Sequence, residues 1–216
     1  MTWFWIGLLR LLHAVSSTRT LARLGEAFGA LLYRLGRSRR HIVHANLSRC
    51  FPDWPEARRE AVARDHFRAF GRAVLLETVS WWGSESAVRG LVEVAGEDRI
   101  DTLRGKPVIL LAPHFLGLNI AFVRLSLDHA PLTTMYARIK NPRFDRLMYV
   151  SRTRFGGSRL HSRADGIRGI VTDIRRGLPF YYLPDMDYGR KDAVFVPFFG
   201  VPAATITGLS RLARIT

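Results

Sequence analysis

The stretch that decides the fold is PVILLAPHFLGLN, residues 107–119. Its first five residues form a short, wholly apolar run, which is typical of a strand buried on both faces of a parallel sheet. Pro113 biases the residue before it toward extended backbone, so the chain leaves the strand in a fixed direction. Helical periodicity follows over residues 116–127. The stretch therefore predicts a strand, a turn and a helix, with His114 on the turn, where α/β proteins place reactive groups.

The same alternation of short apolar runs and helical patterns continues on both sides of this stretch. Asn141 and Pro142 are suited to begin a helix, as its cap and its first residue, and Gly177 is suited to end the next one. The pattern predicts an α/β fold with a mostly parallel central sheet flanked by helices. Strands are predicted at 92–94, 107–111, 132–136, 180–183 and 193–198, and helices at 116–127, 141–154 and 165–176.

Two regions are predicted, because the continuous helical pattern of the first part of the chain ends near Ser84. Residues 1–84 are helical in pattern, and Pro52 and Pro55 interrupt the helices. Residues 85–216 carry the alternating pattern of strands and helices that is typical of an α/β core. The last residues, from Thr205, resemble the beginning of a helix with nothing after it to close the sheet. We therefore expect the core to lack its C-terminal elements.

The charge balance limits the class of partner. Lys and Arg total 33 against 18 acidic residues, a net charge of +15, and only three of the bases are Lys. Arg-rich surfaces bind anions such as nucleic acid, anionic lipid or an acidic carrier protein. A hydrophobic content of 48% excludes a disordered chain, and the single Cys50 excludes a disulfide framework or a cysteine-rich metal site.

The amino terminus favours a membrane surface. Residues 1–15, MTWFWIGLLRLLHAV, would form a helix about 22 Å long, short of the roughly 30 Å hydrocarbon core of a bilayer. Residues 1–40 hold seven Arg against the lone acid Glu26. Apolar faces, tryptophans and arginines together are typical of helices lying in the membrane interface on the cytoplasmic side. The alternatives are a signal peptide, which lacks a basic start and a cleavage site here, and an ordinary helical bundle packed on the core.

The blocks around His114 carry a family resemblance. The pattern Pro-His followed after four residues by an acid resembles the motif of the glycerolipid and lysophospholipid acyltransferase superfamily. The further ordered blocks resemble the late acyltransferases of lipid A biosynthesis, the lauroyl and myristoyl transferases, over nearly the whole chain. These blocks are Asn46-Leu47, Cys50-Phe51-Pro52, His114-Phe-Leu-Gly-Leu, Met135-Tyr136-x-Arg138, Arg152-x-Arg154, Tyr182-Leu-Pro-Asp185-x-Asp187-Tyr-Gly189, Phe195-Val-Pro-Phe-Phe-Gly200 and Ala203-Ala-Thr205.

The resemblance implies that His114 is the general base on an acceptor hydroxyl and that the acid five positions later orients it. This chain departs from the pattern, because Asn119 fills the acid position. An amide can hold the imidazole tautomer, but it carries no charge to stabilise the imidazolium. Asn119 is then an engineered lesion, a tolerated natural variant or the mark of a relative that has lost activity. Asp185 or Asp187 is a possible substitute from a neighbouring strand.

Other site residues follow from the same resemblance. Arg138, Arg152 and Arg154 are expected to bind a phosphate or carboxylate of a substrate, although solvated helix-end arginines are an equal alternative for any one of them. Gly117 is expected to allow close approach of substrate. Asp185 and Asp187 are expected to orient an arginine or polar groups of the acceptor. Two acids without further ligands make a poor metal site, so no metal and no cofactor are expected.

The implied reaction is transfer of a fatty acyl group from acyl-carrier protein to a hydroxyl of a lipid A precursor, an anionic glycolipid. The expected place is the cytoplasmic face of the inner membrane, where the membrane lipid is also a partner. One alternative is a glycerolipid or lysophospholipid acyltransferase that uses acyl-CoA or acyl-carrier protein. Another is a catalytically impaired lipid-binding relative, which Asn119 favours. Nucleic-acid binding is motivated by charge alone and is not expected, because no nucleic-acid module is present in the sequence.

Overall fold

The computed structural model describes residues 2–96, 99–100, 102–103, 105–186, 189 and 193–216. As the sequence predicts, helices fill the region before Ser84, and a short helix follows it. Ser17 and Ser84 cap two of them, since each hydroxyl accepts a hydrogen bond from a backbone amide of the first turn. The helices are α1 (Thr2–Val15), α2 (Thr18–Leu35), α3 (Arg37–Cys50), α4 (Glu56–Trp82) and α5 (Glu85–Leu91).

Glycines let α2 and α4 cross in close contact. A Cβ atom added at Gly71 of α4 would lie 2.2 Å from the carbonyl oxygen of Gly25 in α2, and one added at Gly29 would lie 2.1 Å from the carbonyl oxygen of Phe67. No side chain fits at these distances, so the two backbones pack directly on each other. This crossing anchors the long helix α4, whose C-terminal end reaches the candidate site.

A parallel sheet of four strands forms the core of the second region. Its order is β1-β4-β2-β3, and every described pairing between these strands is parallel. The sheet strands are β1 (Ile109–Leu111), β2 (Thr133–Tyr136), β3 (Arg159–Ser162) and β4 (Phe180–Tyr182), and the connecting helices are α6 (Leu118–His129), α7 (Pro142–Thr153) and α8 (Arg168–Arg175). Because parallel strands end at the same edge, the segments after β1, β2 and β4 lie close together there.

Helix α6 joins the two regions through its two apolar faces. Val123 and Ile120 pack against Leu21 of α2 and Val79 of α4. Phe122, on the other side of α6, packs against the sheet. Helix α6 therefore holds the end of α4 against the strand edge.

An antiparallel hairpin follows the sheet. It consists of β5 (Ala193–Phe198) and β6 (Val201–Ile206), and helix α9 (Gly208–Ile215) comes after it. Phe199 at its tip packs against Phe51, with ring centroids 4.9 Å apart. The sequence pattern anticipated β5 and the final helix, but it missed β3, whose residues RLHS are mixed in polarity. It also missed β6, whose sequence VPAATI contains a proline and two alanines, which are depleted in strands.

Two details of the sequence prediction need correction. Residues 92–94 are not a strand: Val92 is extended, but it ends α5, and its carbonyl oxygen accepts a hydrogen bond from Arg124 rather than from a neighbouring strand. The helix predicted at 165–176 is shorter and begins at Arg168, after a 3-10 turn at Arg163–Asp165. No helix in the described part of the chain is long and apolar enough to cross a membrane.

Candidate active site

His114 lies between β1 and α6, on the turn that the sequence predicted. Its Nδ1 atom is 2.6 Å from Oδ1 of Asp185, and its backbone amide donates a hydrogen bond of 2.6 Å to the other oxygen of the same carboxylate. Asp185 follows β4, the strand that pairs with β1. The parallel register therefore brings together two residues that are 71 positions apart. Because Nδ1 faces the carboxylate, Nε2 is the ring nitrogen available to a substrate.

The two side chains of this pair are partly open to solvent, with exposed fractions of 37% for His114 and 39% for Asp185. Partial burial of the Asp185 carboxyl works against its ionisation, but the hydrogen bonds from the side chain and the backbone of His114 outweigh it. The pKa of Asp185 is therefore lowered from its ordinary value. The carboxylate is thus charged at neutral pH and can both orient the imidazole and stabilise its protonated form.

A cavity of about 620 Å³ opens beside His114 at the carboxyl edge of the sheet. Most of its lining is apolar or aromatic, with contributions from Leu118 and Phe122 of α6 and from Met148 of α7. Polar groups are few, and Arg152 is one of them. An apolar cavity with a few convergent polar groups is the usual form of a small-molecule site.

Asn119 lines the same cavity but makes its described contacts away from His114. Its Nδ2 group donates to Oε1 of Glu77 and, over 3.3 Å, to Oγ of Ser80, both in the last turns of α4. Its Oδ1 atom accepts a hydrogen bond of 2.5 Å from Nε of Arg152 in α7. The motif position that the sequence pattern assigned to the orienting acid thus joins three helices, and Asp185 takes the place beside the imidazole.

Burial acts on both charged neighbours of Asn119. It raises the pKa of the Glu77 carboxyl, against the hydrogen bonds from Ser80 and Asn119. It also lowers the pKa of the Arg152 guanidinium, against the attraction of the Glu77 charge. Each shift has the sign that desolvation of a charged group produces.

The remaining predicted site residues fall in different places. Arg154 ends α7 and donates hydrogen bonds to the carbonyl oxygens of Val79, Trp81 and Gly83, so it caps the C-terminal end of α4. Arg138 is exposed and lines a smaller neighbouring cavity of about 370 Å³.

Gly117 and Asp187 complete the predicted set. Gly117 begins α6 with a φ of 82°, a left-handed conformation, and a Cβ atom there would meet its nearest neighbour at an ordinary 3.6 Å. Backbone conformation therefore accounts for this glycine more directly than close approach of a substrate does. Asp187 lies outside the described residues.

The sequence pattern missed Glu77. Its signal was present, because Glu77 is the one acid in the apolar stretch of residues 73–82, AVLLETVSWW. An acid placed among apolar helix residues must be paired or hydrogen-bonded when the helix packs. Arg163 was also missed, and it lines the main cavity from the turn after β3.

The class of protein follows from this arrangement. An α/β domain that places a carboxylate-held histidine beside an apolar cavity is equipped to take a proton from a hydroxyl during group transfer. Over residues 1–216 the chain matches the family model described as bacterial lipid A biosynthesis acyltransferase. It therefore belongs to that family.

Individual relatives agree with the family match. The chain is 36% identical over 203 residues to the lipid A biosynthesis myristoyltransferase of Escherichia coli, which covers 90% of this chain and 59% of the relative. It is 32% identical over 219 residues to the lauroyltransferase of the same organism, covering 100% of this chain and 70% of the relative. A Haemophilus influenzae lipid A biosynthesis acyltransferase is 32% identical over 215 residues, 98% of this chain and 67% of the relative. The chain thus spans about three fifths to seven tenths of the length of these curated relatives.

Proposed function

We propose that this protein transfers a fatty acyl group from an acyl-carrier-protein thioester to a hydroxyl of a lipid A precursor, with His114 as the general base. The observation that carries the proposal is the His114–Asp185 pair beside the apolar cavity. Family membership supplies the class of acceptor.

The pair supports proton removal in a specific direction. Asp185 accepts the Nδ1 proton of His114, so Nε2 carries the lone pair that removes the acceptor's hydroxyl proton. The oxygen then attacks the thioester carbonyl, the carbon–sulfur bond breaks, and the thiol leaves with the proton from the imidazolium. The charged Asp185 stabilises the imidazolium between these two steps.

The oxyanion of the tetrahedral intermediate needs hydrogen-bond donors that are not already in use. The amide of His114 is bonded to Asp185, and that of Phe115 to the carbonyl oxygen of Pro113. The backbone amides that follow Leu118 in the first turn of α6 are the donors next to the cavity that fit this task. The apolar lining, which includes Met135 and Leu183, is suited to hold the acyl chain.

The reaction is proposed to take place at the cytoplasmic face of the inner membrane. Trp3, Phe4 and Trp5 of α1 are 62%, 67% and 54% exposed. The Cζ atom of Arg143 lies over the Trp3 ring, 4.9 Å from the ring centroid. Helix α1 therefore begins near the start of α7. Exposed aromatic side chains and a basic surface together favour binding to an anionic bilayer.

The membrane proposal is tested by vesicle sedimentation. Replacement of Trp3, Phe4 and Trp5 by Ser is expected to reduce binding to vesicles that contain anionic lipid. Ile167→Ser, which alters another exposed apolar residue, is the control and should bind like the parent. Equal binding by the triple variant and the parent would contradict the proposal.

The enzymatic proposal is tested by acyl transfer to a lipid A precursor, with acyl-carrier protein and acyl-CoA supplied as donors in separate reactions. We expect product with the carrier-protein donor, and a rate reduced by roughly 10²–10⁴-fold in His114→Ala. His66→Ala is the matched control, because His66 is exposed on α4 and away from the cavity. Product from acyl-CoA alone would favour a glycerolipid-type donor. No product from either donor, with vesicle binding intact, would favour a catalytically impaired lipid-binding relative.

A further inference from the structure

Three helices bring a glutamate, an amide and an arginine together beside the cavity. Glu77 comes from α4, Asn119 from α6 and Arg152 from α7. Asn119 donates to Glu77 and accepts from Arg152, so it lies between the two charged groups. Ser80 and Ser151 complete the group, since the Ser80 hydroxyl donates to Glu77 and the Ser151 hydroxyl donates to the carbonyl oxygen of Ser80 over 3.3 Å. We call these five residues the amide cluster.

The chemistry of the two ends fixes the orientation of the amide. The guanidinium of Arg152 can only donate hydrogen bonds, so it must face the amide oxygen of Asn119. An ionised Glu77 can only accept, so it must face the amide nitrogen. With an exposed fraction of 6%, Asn119 has little access to water as an alternative partner. An amide at position 119 therefore satisfies both neighbours, which a carboxylate beside an ionised Glu77 cannot do.

The amide cluster uses only part of the Arg152 guanidinium. Its Nε atom donates a hydrogen bond to Asn119, and the side chain lines the cavity together with His114. Among the described residues, its two terminal nitrogens have no hydrogen-bond partner, although neither is sealed from solvent. A guanidinium held at one side and free at the other is arranged to bind an anionic oxygen.

We infer that Glu77 is a positioning residue of the active site, which acts through the amide of Asn119 to fix the direction in which Arg152 presents its guanidinium to an anionic group of a substrate. The inference rests on the proposed function for the identity of that substrate. It also explains why an amide occupies position 119. The amide connects Glu77 to Arg152, while Asp185 is the carboxylate that pairs with His114.

Exchanging the polarity of the two residues tests this inference. In Asn119→Asp, the new carboxylate still accepts from Arg152 but meets the carboxylate of Glu77, so the connection is broken by like charges. In the double variant Glu77→Gln with Asn119→Asp, the amide of residue 77 can rotate to donate to the new carboxylate. The double variant also keeps the net charge of the parent. Glu77→Gln alone retains an acceptor for Asn119, so it is expected to change little.

The measurement is steady-state transfer, with the lipid acceptor and the acyl-carrier-protein donor titrated separately. For Asn119→Asp we expect the KM of one substrate to rise about tenfold or more while the KM of the other and kcat change less, because a ground-state contact is lost. The substrate whose KM rises is the one that Arg152 binds. The double variant should return that KM to within about threefold of the parent. Glu85→Gln, an exposed glutamate of α5, is the control for a lost charge.

Two results would overturn the inference. One is a double variant no better than Asn119→Asp alone. The other is an Asn119→Asp protein that matches or exceeds the parent while Glu77 is unchanged, since Asn119 would then be a lesion at the motif position. Binding of the lipid acceptor and of the acyl-carrier-protein donor is measured as a Kd on the same variants in the His114→Ala background, in which turnover is slow. If the parent shows no acyl transfer but these Kd values change in the way expected for KM, the proposed function alone is rejected.

Discussion

The two ends of the motif at residues 114–119 lie in different surroundings. His114 is partly exposed and pairs with Asp185, a carboxylate whose pKa is lowered. Asn119 is buried and joins Arg152 to Glu77, a carboxylate whose pKa is raised. Five positions of sequence therefore separate a group suited to proton transfer from a group that ties helices together. The difference shows that a carboxylate can reach this histidine from a neighbouring parallel strand rather than from the local motif.

The largest effect is expected at the exposed pair. In Asp185→Asn, the amide can hold His114 but carries no charge to stabilise the imidazolium, so kcat for acyl transfer should fall by roughly 10²–10⁴-fold. Thermal unfolding should move by only about 1–2 °C, because Asp185 is a surface residue. Retention of the parent rate would show that Asp185 does not assist His114.

The amide cluster is expected to affect stability strongly. Asn119→Leu leaves the Glu77 carboxyl and the Arg152 guanidinium without their shared partner, so the free energy of unfolding should fall by roughly 2–5 kcal/mol. Denaturant titration measures the change. The control is Asn46→Leu, at an exposed position of α3, which should stay within about 0.5 kcal/mol of the parent. A fall in the free energy of unfolding no larger than that of the control would contradict a structural role of the amide cluster.

A destabilised variant far from the cavity separates effects on stability from effects on catalysis. Gly71→Ala places a methyl group against the backbone of α2 and should lower the free energy of unfolding by roughly 1–3 kcal/mol. Its kcat per folded molecule should equal that of the parent, because the change does not touch the cavity.

Gly90→Ala is the matched control for that variant. It lies in α5 with no neighbour within 4 Å of the added atom, so it should stabilise the protein by about 0.5–1 kcal/mol. A lower kcat in Gly71→Ala would mean that stability and catalysis are coupled through α4.

The smallest effects are pH dependences of opposite sign. Because burial raises the pKa of Glu77 above its ordinary 4.5, its contribution to stability is present below that pH and is lost as pH rises through the folded-state value. Glu77→Gln should therefore gain stability relative to the parent as pH rises from about 4.5.

Asp185 has the reverse dependence. Its lowered pKa makes its contribution present above its ordinary 3.8 and lost as pH falls through the folded-state value. Asp185→Asn should thus approach the parent's stability at acidic pH. Denaturant midpoints measured across pH 3–8 test both signs, and parallel curves for either variant and the parent would contradict the pKa shift of that residue.

Local sequence signals predicted much of the fold, because they report single elements. The apolar run at 107–111, the cap at Asn141 and the stop at Gly177 each act within a few residues, and the structure confirms a strand, a helix start and a helix end there. The strand predicted at 92–94 was wrong, since extended backbone becomes a strand only when a neighbour pairs with it. Strand β3 was missed because its sequence, RLHS, has no apolar pattern of its own.

By itself the sequence determined the class of fold, the turn that carries His114, and the departure from the family pattern at Asn119. Each of these depends on residue type and short-range order. Only the tertiary structure decided which acid meets the histidine, because Asp185 reaches His114 through the pairing of β1 with β4. Likewise, only the packing of α4, α6 and α7 decided that Asn119 connects Glu77 to Arg152. Such contacts join residues tens of positions apart, and their geometry follows from how strands and helices pack rather than from any spacing along the chain.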